Sequence, residues 1–171
     1  MAINVKGFKD GLLRSLPLII LIYVSISEFQ TQFYYWKIFS FNLQFIIIYY
    51  WVLRDPSILG YGFIFICGLI NDVVVGFPVG FTSINYLLIC GFAAYLRNIT
   101  LRPRLIQDWF FFFFTILVVN SLGYIILSSL LSITVDYVAL FYNTFFTFMF
   151  YLVFANLFQI YQKAIFKESN D

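Results

Sequence analysis

Long runs of apolar residues, separated by short polar segments, extend along the whole 171-residue chain. Such runs are typical of helices that cross a lipid bilayer, which need about 20 residues each. They predict an all-α fold, a polytopic integral membrane protein with a single membrane domain over residues 1–171. Six transmembrane helices are predicted, at approximately 12–27, 38–53, 58–75, 81–96, 109–131 and 138–159. The second is short for a bilayer, so it either begins in the aromatic segment 33–36 or lies tucked among the other helices.

The composition supports a membrane location. Apolar residues make up 63% of the chain and charged residues 11%, whereas soluble chains carry about 25% charged residues. With so little polar surface, lipid must be the solvent of much of the protein. A cleaved signal peptide is the alternative for the first span, because a basic head and an apolar core precede the small residues Ser25 and Ser27.

The basic residues distinguish one side of the predicted membrane domain from the other. With six spans and a cytoplasmic amino terminus, nine of the ten lysines and arginines fall in cytoplasmic segments, and only Lys37 falls outside. This distribution follows the positive-inside rule and predicts that both termini are cytoplasmic. Arg97, Arg102 and Arg104, in the loop after the fourth span, fit a topogenic anchor against anionic lipid, worth about 1 kcal/mol per charge. A contact with a cytoplasmic partner is the alternative for this loop.

Residues that could carry out catalysis are scarce. The chain has no histidine, which is the usual general base and the commonest metal ligand. Both cysteines, Cys67 and Cys90, lie in apolar runs and are predicted to pack in the interior. We therefore predict no catalytic residue, no metal, no cofactor and no enzymatic activity. Three arginines beside a span do not indicate nucleic-acid binding.

The segment from Gly68 to Gly80 joins the third and fourth spans and contains an acid, Asp72, at the edge of the hydrophobic layer. An unpartnered carboxylate there costs about 3 kcal/mol on insertion scales. Gly68, Asp72 and Gly76 follow each other at four-residue intervals, which places them on one stripe of a helix. The two glycines leave room for a second backbone, and Pro78 and Gly80 end the helix. We therefore expect spans three and four to form a closely packed antiparallel hairpin.

Three roles are open for Asp72. It can be a structural group that accepts hydrogen bonds from backbone amides of the turn at 76–80 or pairs with a polar neighbour. It can also belong to a partner-docking site on the outer side, or relay protons or ions. A relay usually needs a chain of ionisable groups, and the sequence offers no second one at depth.

Amide side chains are the other polar feature of the predicted spans. Asn42 and Gln44 lie early in the second span, Asn120 lies in the fifth and Asn143 in the sixth. They can form interhelical hydrogen bonds, worth about 0.6 kcal/mol each, or line a ligand cavity. A cavity would need them at one depth, which the sequence neither requires nor excludes.

The segment around Asp72 also resembles a family signature. Gly68, Leu69, Asp72, Gly76, Pro78 and Gly80 reproduce the pattern G-L-x-x-D-x-x-x-G-x-P-x-G of MreD, the rod shape-determining membrane protein of bacteria. Further matches are Tyr50, Trp51, Pro56 and the exit Tyr95-Leu96-Arg97 from the fourth span, so the resemblance covers residues 45–97. Val79 departs from the pattern, since leucine is common at that position.

The resemblance to MreD implies a non-enzymatic scaffold subunit of the cell-wall elongation machinery, the elongasome, in the bacterial cell inner membrane. It implies direct binding to MreC and, through the complex, contact with the MreB filament and the RodA–penicillin-binding-protein synthase. Such a protein would take part in regulating peptidoglycan synthesis and in maintaining rod shape. The Gly68–Gly80 segment would be its structural or partner motif, and membrane lipids would be further partners.

A protein of another class is the alternative. The substrate-binding membrane subunits of vitamin-type small-molecule transporters also have six compact helices, and the MreD family is similar to them in fold. Those subunits dock through an Ala-x-x-x-Ala surface of their first helix, and residues 12–27 of this chain contain no alanine.

Overall fold

The fold was obtained as a computed structural model, which describes the backbone of residues 5–27, 41–100, 104–130 and 136–168 and the side chains of 15–27, 41–100, 104–129 and 136–163. All regular structure in these ranges is helical, which confirms the predicted all-α class for them. The helices are α1 (Val5–Ile26), α2 (Leu43–Arg54), α3 (Pro56–Leu59), α4 (Tyr61–Val75), α5 (Phe81–Ile99), α6 (Leu105–Ile125) and α7 (Tyr137–Glu168). A π-helical turn over Ile126–Leu130 continues α6.

The bundle is a ring of five helices around a central one. The ring runs α1, α4, α5, α6, α7 and back to α1, each helix packing against the next. Helix α2 lies inside the ring, and ten of its twelve residues are buried. Its Tyr49 ring packs against Phe112 of α6 and Tyr151 of α7, with ring centroids 4.9 and 5.7 Å away. The short second span is therefore tucked among the other helices, one of the two arrangements that its length predicted.

The predicted third span, 58–75, is wrong as one continuous helix. The Asp55 carboxylate accepts a hydrogen bond from the backbone N–H of Ser57 (3.1 Å) and starts the four-residue helix α3 with Pro56 in its first turn. Gly60 follows with a positive φ of 65°, a conformation that ends one helix before the next begins. Helix α4 therefore starts at Tyr61.

The other predicted spans correspond to single helices with different ends. The spans predicted at 12–27, 81–96 and 138–159 are contained in α1, α5 and α7 to within one residue. The fifth, 109–131, begins four residues late, because α6 already starts at Leu105. Residues 38–40 of the second span, the loop with Glu28 and Lys37, and Arg102 lie outside the described residues.

Among the residues that the structure describes, two helical segments are long and apolar enough to cross a membrane, judged by length and composition. They are Leu105–Ser129 and Tyr137–Lys163. Three apolar segments are shorter: Ser15–Ile26, Leu43–Arg54 and Tyr61–Val75. At about 1.5 Å per residue, the twelve residues of α2 are roughly 18 Å long, about three fifths of a hydrocarbon core of about 30 Å.

The outer surface of the ring is apolar on every helix. Large exposed apolar side chains include Tyr23 on α1, Phe63 on α4, Tyr95 on α5, Phe114 on α6 and Phe141 on α7. On α2, by contrast, the buried set extends over every residue from Gln44 to Leu53. The bundle is therefore hydrophobic outside as well as inside, whereas soluble proteins rarely expose large contiguous apolar areas.

Candidate functional site

The hairpin between α4 and α5 forms as the sequence predicts. Helix α4 ends at Val75, and Gly76 follows in the left-handed region with φ 78°. The N–H of Gly76 bonds the carbonyl of Asp72 at 2.9 Å, which closes the last turn of α4. Gly80, with φ 99°, and Pro78, whose carbonyl accepts from Phe81 at 3.1 Å, then lead into α5. These positive φ values are the reason that the turn uses glycine.

Asp72 is fully buried and joins the two helices of the hairpin. One carboxylate oxygen, Oδ2, accepts from the N–H of Gly80 at 2.7 Å, and the other, Oδ1, accepts from the N–H of Thr82 at 2.8 Å. The first N–H groups of a helix have no partner within the helix and carry a partial positive charge. Asp72 therefore caps α5 from the neighbouring helix, which confirms the backbone-acceptor role among the three that the sequence left open.

Gly68 marks the closest approach of α4 and α5. A Cβ atom on Gly68 would lie 2.5 Å from the Cα of Ser83 and 2.7 Å from its backbone nitrogen. The hydroxyl of Ser83 donates a hydrogen bond to the carbonyl of Phe65 at 3.0 Å and joins the two helices at the same level. The close contact that Gly68 predicts is thereby confirmed.

Gly76 has a different role from the one its spacing predicts. It lies after the last residue of α4, and a Cβ atom there would have no atom within 4 Å. It therefore does not extend the packing stripe of Gly68, and its contribution is the left-handed backbone conformation. Leu69 and Pro78, the other two residues of the motif, are half-buried.

A polar cavity of about 310 Å³ lies beside the hairpin. It lies at the end of the bundle where α4 ends and where α2, α5 and α7 begin. Its polar walls come from all four of these helices and from α6: Asn42, Gln44, Asn71, Thr82, Asn85, Asn120, Tyr124, Asp136 and Asn143. The four amides singled out from the sequence are thus at one depth, as a cavity requires.

These amides also form the interhelical hydrogen bonds that were the alternative to a cavity. The Asn42 amide donates to Asn143 Oδ1 at 3.1 Å, and the Asn120 amide donates to Thr144 Oγ1 at 2.7 Å. The Gln44 amide donates to the carbonyl of Val24 at 3.3 Å. Both roles therefore hold at once for this set of residues.

Two cavity residues, Asn71 and Asn85, were missed by sequence reasoning. Both are amides in the helices of the hairpin, α4 and α5, and both are buried. A buried amide in an apolar helix was the signal that could have found them, since such a group needs a hydrogen-bond partner.

An ion pair at the opposite end of the bundle was also missed. Arg54 Nη2 lies 2.9 Å from Asp108 Oδ2, and Asp108 is only 1% exposed. The sequence prediction began the fifth span, 109–131, after Asp108 and did not single out Arg54. Because α6 starts at Leu105, Asp108 lies in its first turn, where a carboxylate is favourable.

Two basic residues of the 97–104 loop, Arg97 and Arg104, lie at this same end. Arg97 is in the last turn of α5, and Arg104 is exposed directly before α6. The ends of the bundle therefore differ in chemistry. One has the hairpin and the amide cavity, and the other has Arg54, Arg97 and Arg104.

No family model matches the chain, and no curated protein or solved structure is significantly similar to it. The class is therefore defined by the residues that the structure describes: an all-helical fold, with two helices long and apolar enough to cross a membrane and a polar cavity beside a capped hairpin.

Proposed function

We propose that the protein is a multi-pass protein of the bacterial inner membrane, with six membrane segments and both termini in the cytoplasm. The apolar outer surface of all five ring helices supports this proposal. Helix α2 is shorter than a bilayer, but it is surrounded by protein, where a short helix is tolerated. The end with Arg54, Arg97 and Arg104 is the cytoplasmic one, in agreement with the positive-inside rule.

This topology predicts the location of reporters fused at three points. Fusions after Lys37 and after Asp136 are expected to report a periplasmic position, and a fusion after Arg102 a cytoplasmic one. The measurement is the activity of a paired alkaline phosphatase and fluorescent-protein reporter at each point. A carboxy-terminal fusion serves as the control, and a periplasmic signal from it would contradict the six-segment arrangement.

We further propose that the protein acts as a non-enzymatic scaffold subunit of the cell-wall elongation machinery, as an MreD-like protein would. The observation that carries this proposal is the hairpin. Four residues of the MreD-like pattern each have a separate structural role there: Gly68 in helix contact, Asp72 in capping, and Gly76 and Gly80 in backbone conformation. A turn fixed in this way presents a defined surface, with Val79 74% exposed at its tip. In this role it binds MreC directly, and MreB and the RodA–penicillin-binding-protein synthase through the complex.

The test of the scaffold role is affinity purification from mild detergent, followed by identification of the co-purified proteins. We expect MreC to be recovered in near-stoichiometric amount and the synthase in smaller amount. Depletion of the protein should also turn rods into spheres, and expression from a plasmid should restore them. Recovery without MreC, from cells that contain MreC, would overturn the proposal.

The transporter alternative has one observation in its favour, which is the polar cavity. The same purification distinguishes it, because a transporter subunit would be recovered with an ATPase and without MreC. Neighbouring genes for cell shape, or for ATPases and vitamin biosynthesis, provide an independent comparison.

A further inference from the structure

The polar cavity has walls that suit a bound polar molecule. Six carboxamide side chains, from α4–α7 and from the start of α2, line about 310 Å³: Asn42, Gln44, Asn71, Asn85, Asn120 and Asn143. This volume is at the lower end of the range of ligand sites, roughly 300–1,000 Å³. An apolar molecule would leave Asn85 Oδ1, which has no partner in the described part of the chain, without a hydrogen bond, and this is unfavourable inside a protein. The occupant is therefore expected to be polar.

Asn85 is the residue that most directly indicates that the cavity holds an occupant. It is only 7% exposed, and its Oδ1 has no hydrogen-bond partner in the part of the chain that the structure describes. Gly123 on α6 provides the space beside it, because a Cβ atom there would lie 3.4 Å from Asn85 Nδ2. A buried acceptor without a partner is costly, so a donor from outside the described protein is expected to meet it.

The charge of the walls limits the chemical class of the occupant. No lysine or arginine is among the described lining residues, so a phosphate or carboxylate would find no counter-charge there. The one acid, Asp136, is exposed and uses its Oδ1 to accept from the N–H groups of Val138 and Ala139 at the start of α7. The charge of the described walls is therefore confined to this one exposed carboxylate, which disfavours an anion further.

Aromatic residues complete the walls: Phe45, Phe77, Phe81, Tyr86 and Tyr124. Carboxamides each carry donors and an acceptor, which match hydroxyl and amide groups that also do both. Aromatic rings provide apolar faces for the C–H surface of the same molecule. A volume of about 310 Å³, near the lower end of ligand sites, suits a small molecule such as one sugar ring with a small substituent.

We propose that this cavity is a binding site for an uncharged group rich in hydroxyl and amide functions, of about the size of one substituted sugar ring. The group can belong to a free solute or to the headgroup of a glycolipid. The site does not depend on the scaffold role, because it rests on the cavity walls alone.

The experiment measures binding in nanodiscs of phosphatidylcholine, because detergents with sugar headgroups would occupy the site. The soluble probe is N-acetylglucosamine, which carries both functions, and glucose 6-phosphate is the anionic comparison. A second arm uses nanodiscs that contain monoglucosyl diacylglycerol. We expect the uncharged probe to raise the thermal unfolding midpoint in a saturable way in at least one arm, whereas the anionic probe leaves it unchanged. A rise only in the glycolipid arm identifies a headgroup site, and a rise with the free sugar identifies a solute site.

Two variants test whether the cavity is the site. Asn85→Leu should weaken binding at least about tenfold, yet keep or raise the midpoint without ligand, since it removes the unpaired acceptor. Ala139→Leu narrows the cavity without removing a polar side chain and should weaken binding similarly. The control is Thr115→Val. Thr115 is a buried residue of α6 outside the cavity, and its hydroxyl donates to the carbonyl of Phe111, so the affinity of this variant for the probe should equal that of the wild type.

Three results would overturn the proposal. The first is no midpoint rise with either uncharged probe for correctly folded protein, which would leave a cavity that holds water only. The second is wild-type affinity in both cavity variants. The third is an equal rise with glucose 6-phosphate, which would contradict the exclusion of anions.

Discussion

Gly68→Leu should abolish the recovery of folded protein, and Gly68→Ala should already lower it sharply. A Cβ atom on Gly68 would approach the Cα of Ser83 to 2.5 Å, closer than Cβ atoms approach other atoms in proteins. Overpacking of a core typically costs about 1–3 kcal/mol. The cost here is expected at or above about 3 kcal/mol, because backbone atoms must move and α5 with them. The measurement is the monodisperse peak in detergent gel filtration together with the thermal unfolding midpoint.

Gly62→Ala is the matched control for this variant. Gly62 lies on the same helix, α4, and a Cβ atom there would have no atom within 4 Å. Alanine favours a helix over glycine by up to about 1 kcal/mol, so this variant should be as stable as the wild type or more so. Equal effects of alanine at positions 62 and 68 would mean that α4 and α5 do not pack as closely as the structure has them.

The Gly68–Ser83 contact also shows which features of the hairpin could be predicted from the sequence. A glycine four residues before an acid in an apolar run predicted a close backbone contact, and Pro78 with Gly80 predicted the turn that brings the partner helix back. The same spacing argument failed at Gly76, because the helix ends one residue before it. Periodicity identifies a face of a helix, but it does not locate the residue where the helix stops.

The central position of α2 could be predicted only as one of two alternatives. Its sequence is apolar on all sides, which is typical both of a helix in lipid and of a helix buried in protein. Length was the one signal that favoured the buried position, since the predicted span 38–53 is short for a bilayer that needs about 20 residues. The ring around α2 depends on the packing of all the helices together, and no local pattern encodes it.

The cavity and the ion pair depend on how the helices are rotated about their axes. Asn71, Asn85 and Asn120 lie on three different helices, and only the packed bundle turns them toward one space. Arg54 and Asp108 are 54 residues apart, and their pairing needs α6 to start at Leu105 and not at residue 109. Because the predicted start of the fifth span was four residues late, the sequence prediction left Asp108 outside the helix and missed its buried ion pair with Arg54.

The second large effect is expected at Asp72. Asp72→Leu leaves the N–H groups of Gly80 and Thr82 without acceptors in a buried site, at about 1–3 kcal/mol each. It also removes the negative charge from the start of α5, which adds about 0.3–1 kcal/mol. We expect this variant to lose the folded hairpin and, if the proposed scaffold role holds, the ability to restore rod shape in a depletion strain.

The free energy of unfolding of Asp72→Asn should lie between that of the wild type and that of Asp72→Leu. A carboxylate accepts with both oxygens, whereas a carboxamide offers one acceptor and places an NH₂ donor opposite the second N–H. One of the two bonds is therefore lost, and the unfolding free energy should fall by about 1–3 kcal/mol. Much of the shape-restoring activity should remain if accepting hydrogen bonds is the whole role of the group.

Asp136→Asn is the matched control, because Asp136 also accepts from backbone N–H groups at the start of a helix but does so with one oxygen, whereas Asp72 uses two. Asp136 caps α7 with a single oxygen, Oδ1, which accepts from both Val138 and Ala139. An asparagine can replace it with its own single oxygen, and the two residues cap helices about equally well. We therefore expect little change in the midpoint for Asp136→Asn and a clear decrease for Asp72→Asn.

The outcome that would overturn the structural role of Asp72 is a separation of stability from function. The measurements on Asp72→Asn are the unfolding midpoint, rod shape in a depletion strain, protein level by blot and the amount of co-purified MreC. If Asp72→Asn keeps a normal midpoint, protein level and MreC recovery but cells become round, the negative charge itself is used. Capping of α5 would then be incidental, because the loss of one hydrogen bond would have cost nothing. If shape and midpoint decrease together, the carboxylate acts by holding the N–H groups of Gly80 and Thr82, since these are the groups that an asparagine cannot both satisfy.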